Sequence, residues 1–321
     1  MNTDKHRFSF QRGDAETQRL HSSMYSATLR LCVFIALVIC FFSIAKADGP
    51  PTIVFLSDFG TVDDSVAICK GVMLGIEPNA RIIDITHEVQ PYSIADATRF
   101  LAGTAPYFGP GTVFVVVVDP GVGSRRKPIV VKSKKDQFFV LPDNGLITLV
   151  ENSDGIEGVR EITNQKWMIG RALSSTFHGR DIFSPVAAHL AKGDDWNEVG
   201  PELKDPVRID LHSAQINDKG IVGEVIALDG PYGNLVTNIT AEDFEKLNYQ
   251  LRQMVHARIQ SRDMKIPFVK TFSDVPLNKP LFYIDSRGRL GIAINQGNFS
   301  KTYRIIPPQS IVVYRNPNIV E

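Results

Sequence analysis

The stretch TVFVVVVDP at 112–120 sets the tightest limit on what this chain can fold into. Five valines surround Phe114 with no polar interruption, and β-branched side chains favour a pleated strand over a helix. A run that is apolar on both faces belongs to a strand covered on both sides, as in the parallel sheets of α/β proteins. The chain then leaves the strand through Asp119-Pro120-Gly121.

Flanking segments agree with that reading. TIVFLSD (52–58) and ARIIDIT (80–86) read as further strands, and PIVVKS and QFFVLPDNG as two more with a turn between them. Residues 66–76, 94–101 and 183–191 have helical spacing, with Pro78 marking the end of the first. Beyond about residue 206 the pattern changes to short alternating strands broken by Gly, Pro and Asn, with 241–251 the main helix candidate. The expected fold is therefore an α/β N-terminal domain with a mostly parallel sheet, followed by a smaller, β-rich C-terminal domain. The expected divisions are 1–47, 48–205 and 206–321.

The first of these divisions is a leader. Residues 31–45, LCVFIALVICFFSIA, carry no charge and precede Ala45-Lys46-Ala47. The run is short of the about 20 residues that a membrane span needs but suits the apolar region of a signal peptide. A start at Met24 would make the leader compact, with cleavage expected after Ala47 and export as the consequence. An uncleaved leader would act as a signal anchor. Its removal takes away Cys32 and Cys40 and leaves Cys69 alone, so the body has neither a disulfide nor a thiolate metal cluster.

The whole chain balances 35 Lys and Arg against 35 Asp and Glu. The leader carries six basic and three acidic residues, leaving 29 and 32 in the body, a formal charge of −3. Without a basic surplus, nucleic acid is disfavoured as the main partner.

In open parallel sheets ligands collect at the carboxyl ends of strands. Three such ends are rich in polar residues: Ser57-Asp58-Phe59-Gly60, Thr86-His87 and the Asp-Pro-Gly-Val-Gly run at 119–123. The last lacks a phosphate-loop frame, and its leading Asp119 would repel phosphate; a turn-capping role is the alternative. His178, in Phe-His-Gly-Arg-Asp at 177–181, suits a general base at a helix entrance or an ordinary surface position. Arg125-Arg126-Lys127 reads as a solvated charge run. In the second half, Asp229-Gly-Pro-Tyr232-Gly-Asn234 combines carboxylate, aromatic and amide on one turn. It suits a nucleoside or a plain Asx-rich turn. Ser286-Arg287-Gly-Arg289 suits a carboxylate clamp or a polar hairpin. No zinc-site spacing and no G-x-S-x-G occurs, which weakens metal and serine hydrolase readings.

Seven segments in order, SDFGTVDD, DITHEVQPY, VVVVDPGVGSRR, LPDNG, FHGRDIF, DGPYGNLVTN and DSRGRLGIAIN, resemble the S-adenosylmethionine hydroxide adenosyltransferases. These are relatives of the fluorinase and chlorinase enzymes. The resemblance spans about residues 52–315 and implies a barrel-like second domain. It also implies a homotrimer whose substrate lies between one subunit's first domain and the next subunit's second.

By the same resemblance the water-activating set falls on Asp119, Arg126 and His178, and the ribose-holding carboxylate on Asp58. Tyr92 takes an aromatic position against the nucleoside, and Tyr232 the stack on adenine. Asp229 and Asn234 contact the methionine amino group and neighbouring atoms, while Ser286 and Arg287 clamp the methionine carboxylate. The implied reaction is hydrolysis of S-adenosyl-L-methionine to adenosine and L-methionine, without cofactor or metal.

Halogenase is the rival within the resemblance, and an exported nucleoside- or sulfonium-binding protein without turnover is the rival outside it. The halogenases carry a tyrosine at the position of Asp119, where a carboxylate would repel a halide. Two departures stand out: Ser65 where an aromatic is usual, and Val236 where some relatives have tryptophan.

Overall fold

The computed structural model describes residues 49–170 and 172–316 of the 321. The leader, with its apolar run and cleavage site, lies outside the described residues.

The first sheet has six strands: β1 (Thr52–Ser57), β2 (Arg81–Thr86), β3 (Val113–Val117), β4 (Pro128–Ser133), β5 (Phe138–Pro142) and β6 (Ile156–Glu161). Their order is β2-β1-β3-β5-β4-β6. The pairs β1–β2, β1–β3 and β3–β5 are parallel, whereas β4 runs antiparallel to both β5 and β6. The sheet is thus mostly parallel, as expected, and the tight turn after β4 makes the exception.

Strand alternation explains the valine run. Ile53, Phe55, Val113, Val115 and Val117 pack on one face with helices α1 (Ser65–Ile76) and, further along the chain, Ser184–Lys192. Val54, Leu56, Phe114, Val116 and Val118 pack on the other face with α2 (Ile94–Thr104) and α3 (Thr148–Asp154). Ser184–Lys192 is α4. Both faces of β3 are sealed, so neither could tolerate a polar side chain. Ser93 caps α2 by accepting the Asp96 N–H.

The second sheet has eight antiparallel strands, β7 (Gln215–Asn217), β8 (Gly220–Asp229), β9 (Asn234–Thr240), β10 (Met254–Ile259), β11 (Arg262–Pro267), β12 (Pro280–Ile284), β13 (Arg289–Ile294) and β14 (Gln309–Tyr314). The order β11-β10-β14-β8-β9-β13-β12, with β7 beside β8, ends on two strands joined by a Phe268–Phe282 bridge. The sheet is therefore a nearly closed barrel. Phe244 of α5 (Ala241–Glu245) and Phe299 of α6 (Phe299–Tyr303) fill its core.

Two local expectations need adjusting, and two elements were not expected at all. The helix expected over 241–251 stops at Glu245, because Asn248 turns the backbone to φ +58° and Leu247 and Tyr249 enter the barrel core. Helix α3 and strand β6 lie in a polar stretch that showed no periodicity in the sequence. The strand expected over 112–120 spans Val113–Val117, and Val118–Asp119 continue past the sheet.

Between the sheets the chain is stitched to the first layer as far as Ile209. Leu203 N–H donates to Val159 O, Val207 N–H to Asp143 and Ile209 N–H to Thr148 Oγ1. Among the described residues no helix is long and apolar enough to cross a membrane.

Candidate active site

The carboxyl ends of β1 and β3 lie side by side because those strands are parallel neighbours, with Ser57 opposite Val117. Asp58 follows the first and Asp119 follows Val118 of the second.

Asp58 Oδ2 accepts the backbone N–H of Tyr92 at 2.9 Å. Tyr92 sits at φ +68° and is 74% exposed, so its ring stands free at the rim. From buried Ser57 and His87 a line of polar groups runs out to the surface. Ser57 Oγ lies 2.7 Å from His87 Nδ1, and His87 Nε2 lies 3.2 Å from Asp84, which Lys70 also contacts. Burial pushes the His87 pKa below its ordinary value, against the opposing pull of Asp84. The Gly60 N–H donates to the His87 carbonyl at 2.7 Å, tying the Asp58 loop to the β2 end.

Asp119 is 6% exposed at its side chain and is ion-paired with Arg126 Nη1. The same oxygen accepts the Gly121 N–H at 3.0 Å. A side chain at 121 would lie 2.7 Å from the Arg126 guanidinium, so glycine makes room for the pair. Arg126 backs Asp119 rather than lining the cleft, and Arg125 is exposed. Gly123, at φ +78°, lets the loop approach the Ser175 carbonyl so closely that a Cβ would stand 2.2 Å from it.

His178 stands immediately before a π-helical turn, Gly179–Phe183, which runs straight into α4. Such turns recur at functional sites because the wide loop re-aims side chains. Here Gly179 faces Phe59, where a Cβ would come within 2.9 Å of the ring. Asp181 is fully buried, paired with Arg180 at 2.6 Å, and accepts the Ser174 N–H at 2.6 Å. It thereby holds the segment that presents His178.

These elements enclose a cleft of about 340 Å³ lined by Asp58, Phe59, Pro91, Tyr92, Val117, Asp119, Val122, Thr176, Phe177, His178, Gly179 and Phe183. The structure thus gathers Asp58, Tyr92, Asp119 and His178 in one place, with Arg126 behind. Phe59 and Phe177, whose rings meet edge-on at 5.9 Å, form an apolar wall that sequence reasoning did not single out. Both lie inside motifs noted for their polar residues. The Ser57–His87 contact spans 30 positions and left no trace in the sequence.

The remaining residues sit on the barrel. Asp229 ends β8 opposite Asn234, which begins β9. Between them Gly230–Tyr232 form a 3-10 turn with Tyr232 67% exposed. Asn298 presses against Gly233 and fixes the hairpin tip. Ser286 and Arg287 occupy the turn between β12 and β13, where Asp285 accepts the Arg287 N–H at 2.8 Å. None of these barrel residues lines the cleft.

Fold and site define an α/β enzyme with its polar cleft at the carboxyl ends of two adjacent parallel strands, followed by an antiparallel barrel. The family profiles described as the SAM hydroxide adenosyltransferase N-terminal and C-terminal domains match residues 53–200 and 223–312. The chain belongs to that family. It is 35% identical over 266 residues to a protein of Salinispora arenicola named (R)-S-adenosyl-L-methionine hydrolase, covering 82% of this chain and 97% of that one. It is 32% identical over 289 residues to a fluorinase of an Actinoplanes species, covering 81% and 96%. The crystal structure of an uncharacterized conserved protein from Thermotoga maritima superposes with a TM-score of 0.78 at 40% identity, covering 82% of this chain and all of that one.

Proposed function

We propose that this protein hydrolyses S-adenosyl-L-methionine to adenosine and L-methionine. The observation that carries the reading is the buried Asp119, ion-paired with Arg126, in the same cleft as His178 and Asp58.

The substrate sulfonium is already a good leaving group, so the chemistry lies in supplying a nucleophile in line with the C5′–S bond. A water molecule beside Asp119 and His178 loses a proton to this pair as its oxygen bonds to C5′. The C5′–S electron pair returns to sulfur, giving neutral methionine, and the proton passes on to solvent. Arg126, ion-paired with Asp119, holds that carboxylate in its orientation. Asp58 accepts from the ribose hydroxyls while its other oxygen stays on the Tyr92 amide. The apolar Phe59–Phe177 wall keeps bulk water from the reacting atoms. No metal or cofactor is called for in this scheme.

The finer parts of the reading follow from the family. The barrel residues Asp229, Tyr232, Asn234, Ser286 and Arg287 complete the site from a neighbouring copy in a homotrimer. The absence of any barrel residue from the described cleft lining supports this. The two domains divide within 204–216, just past the last tie to the first layer at Ile209, and the leader directs export with cleavage after Ala47. The hydrolase relatives' names specify the R configuration at sulfur, and we take that epimer as the substrate.

Incubation with each sulfonium epimer, followed by chromatography of adenosine and methionine, tests the reading. Adenosine formed no faster than in buffer, despite tight binding, would overturn hydrolysis in favour of a binding protein. The fluorinase relatives make one further arm necessary. A 5′-halo-5′-deoxyadenosine appearing with added halide would make the chain a halogenase, against the expected repulsion between halide and Asp119.

A further inference from the structure

A second cavity, of about 700 Å³, lies between α2 and α3 on one side and the β8, β9 and β13 face of the barrel on the other. It shares no lining residue with the cleft. Its charge is poorly matched from within. Arg99 is 8% exposed, and its Nη2 holds Asp96 at 2.7 Å, but its Nε is buried without a hydrogen-bond partner. Arg289 lines the same cavity, and among the described residues no hydrogen bond or ion pair reaches its guanidinium. Arg287 lies nearby, and the Phe100 ring carries Arg99 at 4.4 Å and Arg287 at 5.8 Å.

Three guanidiniums, those of Arg99, Arg287 and Arg289, therefore stand close together, with Asp96, Asp229 and Asp285 as the carboxylates near them. Asp96 is committed to Arg99, and Asp285 Oδ1 accepts the backbone N–H groups of Arg287 and Arg289 at 2.8 and 2.9 Å, so no hydrogen bond joins it to either guanidinium. Burial, with Arg99 and Arg287 close by, lowers the Arg289 pKa despite the pull of Asp285. Arginine nevertheless stays protonated in proteins, so its charge needs a partner. The other carboxylates of the cavity are badly placed. Asp210 is 86% exposed at the mouth. Glu224 lies on β8, two strands from Arg289 and so about 10 Å across the sheet.

We propose that this cavity binds a small oxyanion-bearing ligand, its phosphate or carboxylate group held by the unpartnered Arg289 guanidinium with Arg99 beside it. The volume falls in the range of small-molecule sites. Gln90 and Asn152 offer polar contacts to the rest of the ligand, and Leu149, Ile209 and Ile226 offer apolar ones. A guanidinium pair receives either oxyanion in the same geometry, so the chemistry common to both is what the site recognises.

The test is calorimetric titration of the full chain with inorganic phosphate and, separately, acetate, at ionic strength held constant with chloride. Saturable binding of at least one is expected, weakened about tenfold or more in Arg289→Gln and partly restored in Arg289→Lys. Phosphate alone or acetate alone would identify the class of ligand, and either supports the site. No saturable binding, or an isotherm unchanged in Arg289→Gln, would overturn it. Circular dichroism of both variants, at a position on the cavity wall rather than in the core, separates lost binding from lost folding.

Discussion

The backbone N–H of Tyr92 donates to Asp58 across 34 residues of sequence, and the bond carries the rim of the cleft. In the Asp58→Ala variant that amide loses its acceptor along with the ribose contact. The expected outcome is a rise in KM of about tenfold or more, at least as large as the fall in kcat. Asp58→Asn retains an acceptor for Tyr92 and is expected to keep the native melting temperature. Steady-state kinetics and thermal unfolding check both.

Asp119 and His178 are expected to behave in the opposite sense. Asp119→Ala removes a proton acceptor and strands the Arg126 guanidinium, so kcat should fall by about 10²–10⁴ with a much smaller change in affinity. His178→Ala should fall in the same direction. Full activity in His178→Ala would remove the histidine from the proton path.

Gly123 and Gly71 make a matched pair for separating strain from propensity. Alanine at 123 meets the Ser175 carbonyl at 2.2 Å on a backbone of φ +78°, whereas alanine at 71, on the exposed side of α1, meets nothing within 4 Å. Gly123→Ala is expected to lose about 1–3 kcal/mol and most of its activity, because the Asp119 and His178 loops are pushed apart. Gly71→Ala is expected to gain about 0.5–1 kcal/mol. Denaturant midpoints measure both.

The buried His87 predicts an acid sensitivity. Its native pKa is depressed, chiefly by burial, with Asp84 and Glu88 opposing and Lys70 assisting. Protons therefore bind the unfolded chain first, and stability falls as pH drops below the unfolded value of about 6.5 toward the lower native one. The slope from this group is at most about 1.4 kcal/mol per pH unit. His87→Gln should be less stable at pH 7.5 yet lose less between pH 7.5 and 5.5. Equal losses in the two proteins would show that other groups set the slope.

How much of this was legible beforehand depended on the kind of signal. The central strands were readable because a double-covered strand excludes polar residues, and 113–118 contain none. The segment 148–161 was not, since α3 and β6 are short, charged and half exposed. The end of α5 depended on where Asn248 places the next side chains, a tertiary effect. Within the cleft, collinear motifs pointed to Asp58, Asp119 and His178. The motif also pointed to Arg126, and its pairing with Asp119, with Arg125 left exposed, follows from the turn that Gly121 and Gly123 permit. The hydrogen bond between Ser57 and His87 joins two strand ends that only the sheet order makes adjacent.

That sheet order has a dimensional consequence. Asp58 and Asp119 extend from neighbouring strands whose spacing, about 4.8 Å, is set by backbone hydrogen bonds and not by side chains. A ligand that grips the first carboxylate is held beside the second by the pairing that ends at Ser57 and Val117, one residue before Asp58 and two before Asp119. The sheet thus works as a fixed gauge: a homologue of the substrate lengthened by one methylene at C5′ would still dock its ribose while carrying the reacting carbon past the second carboxylate.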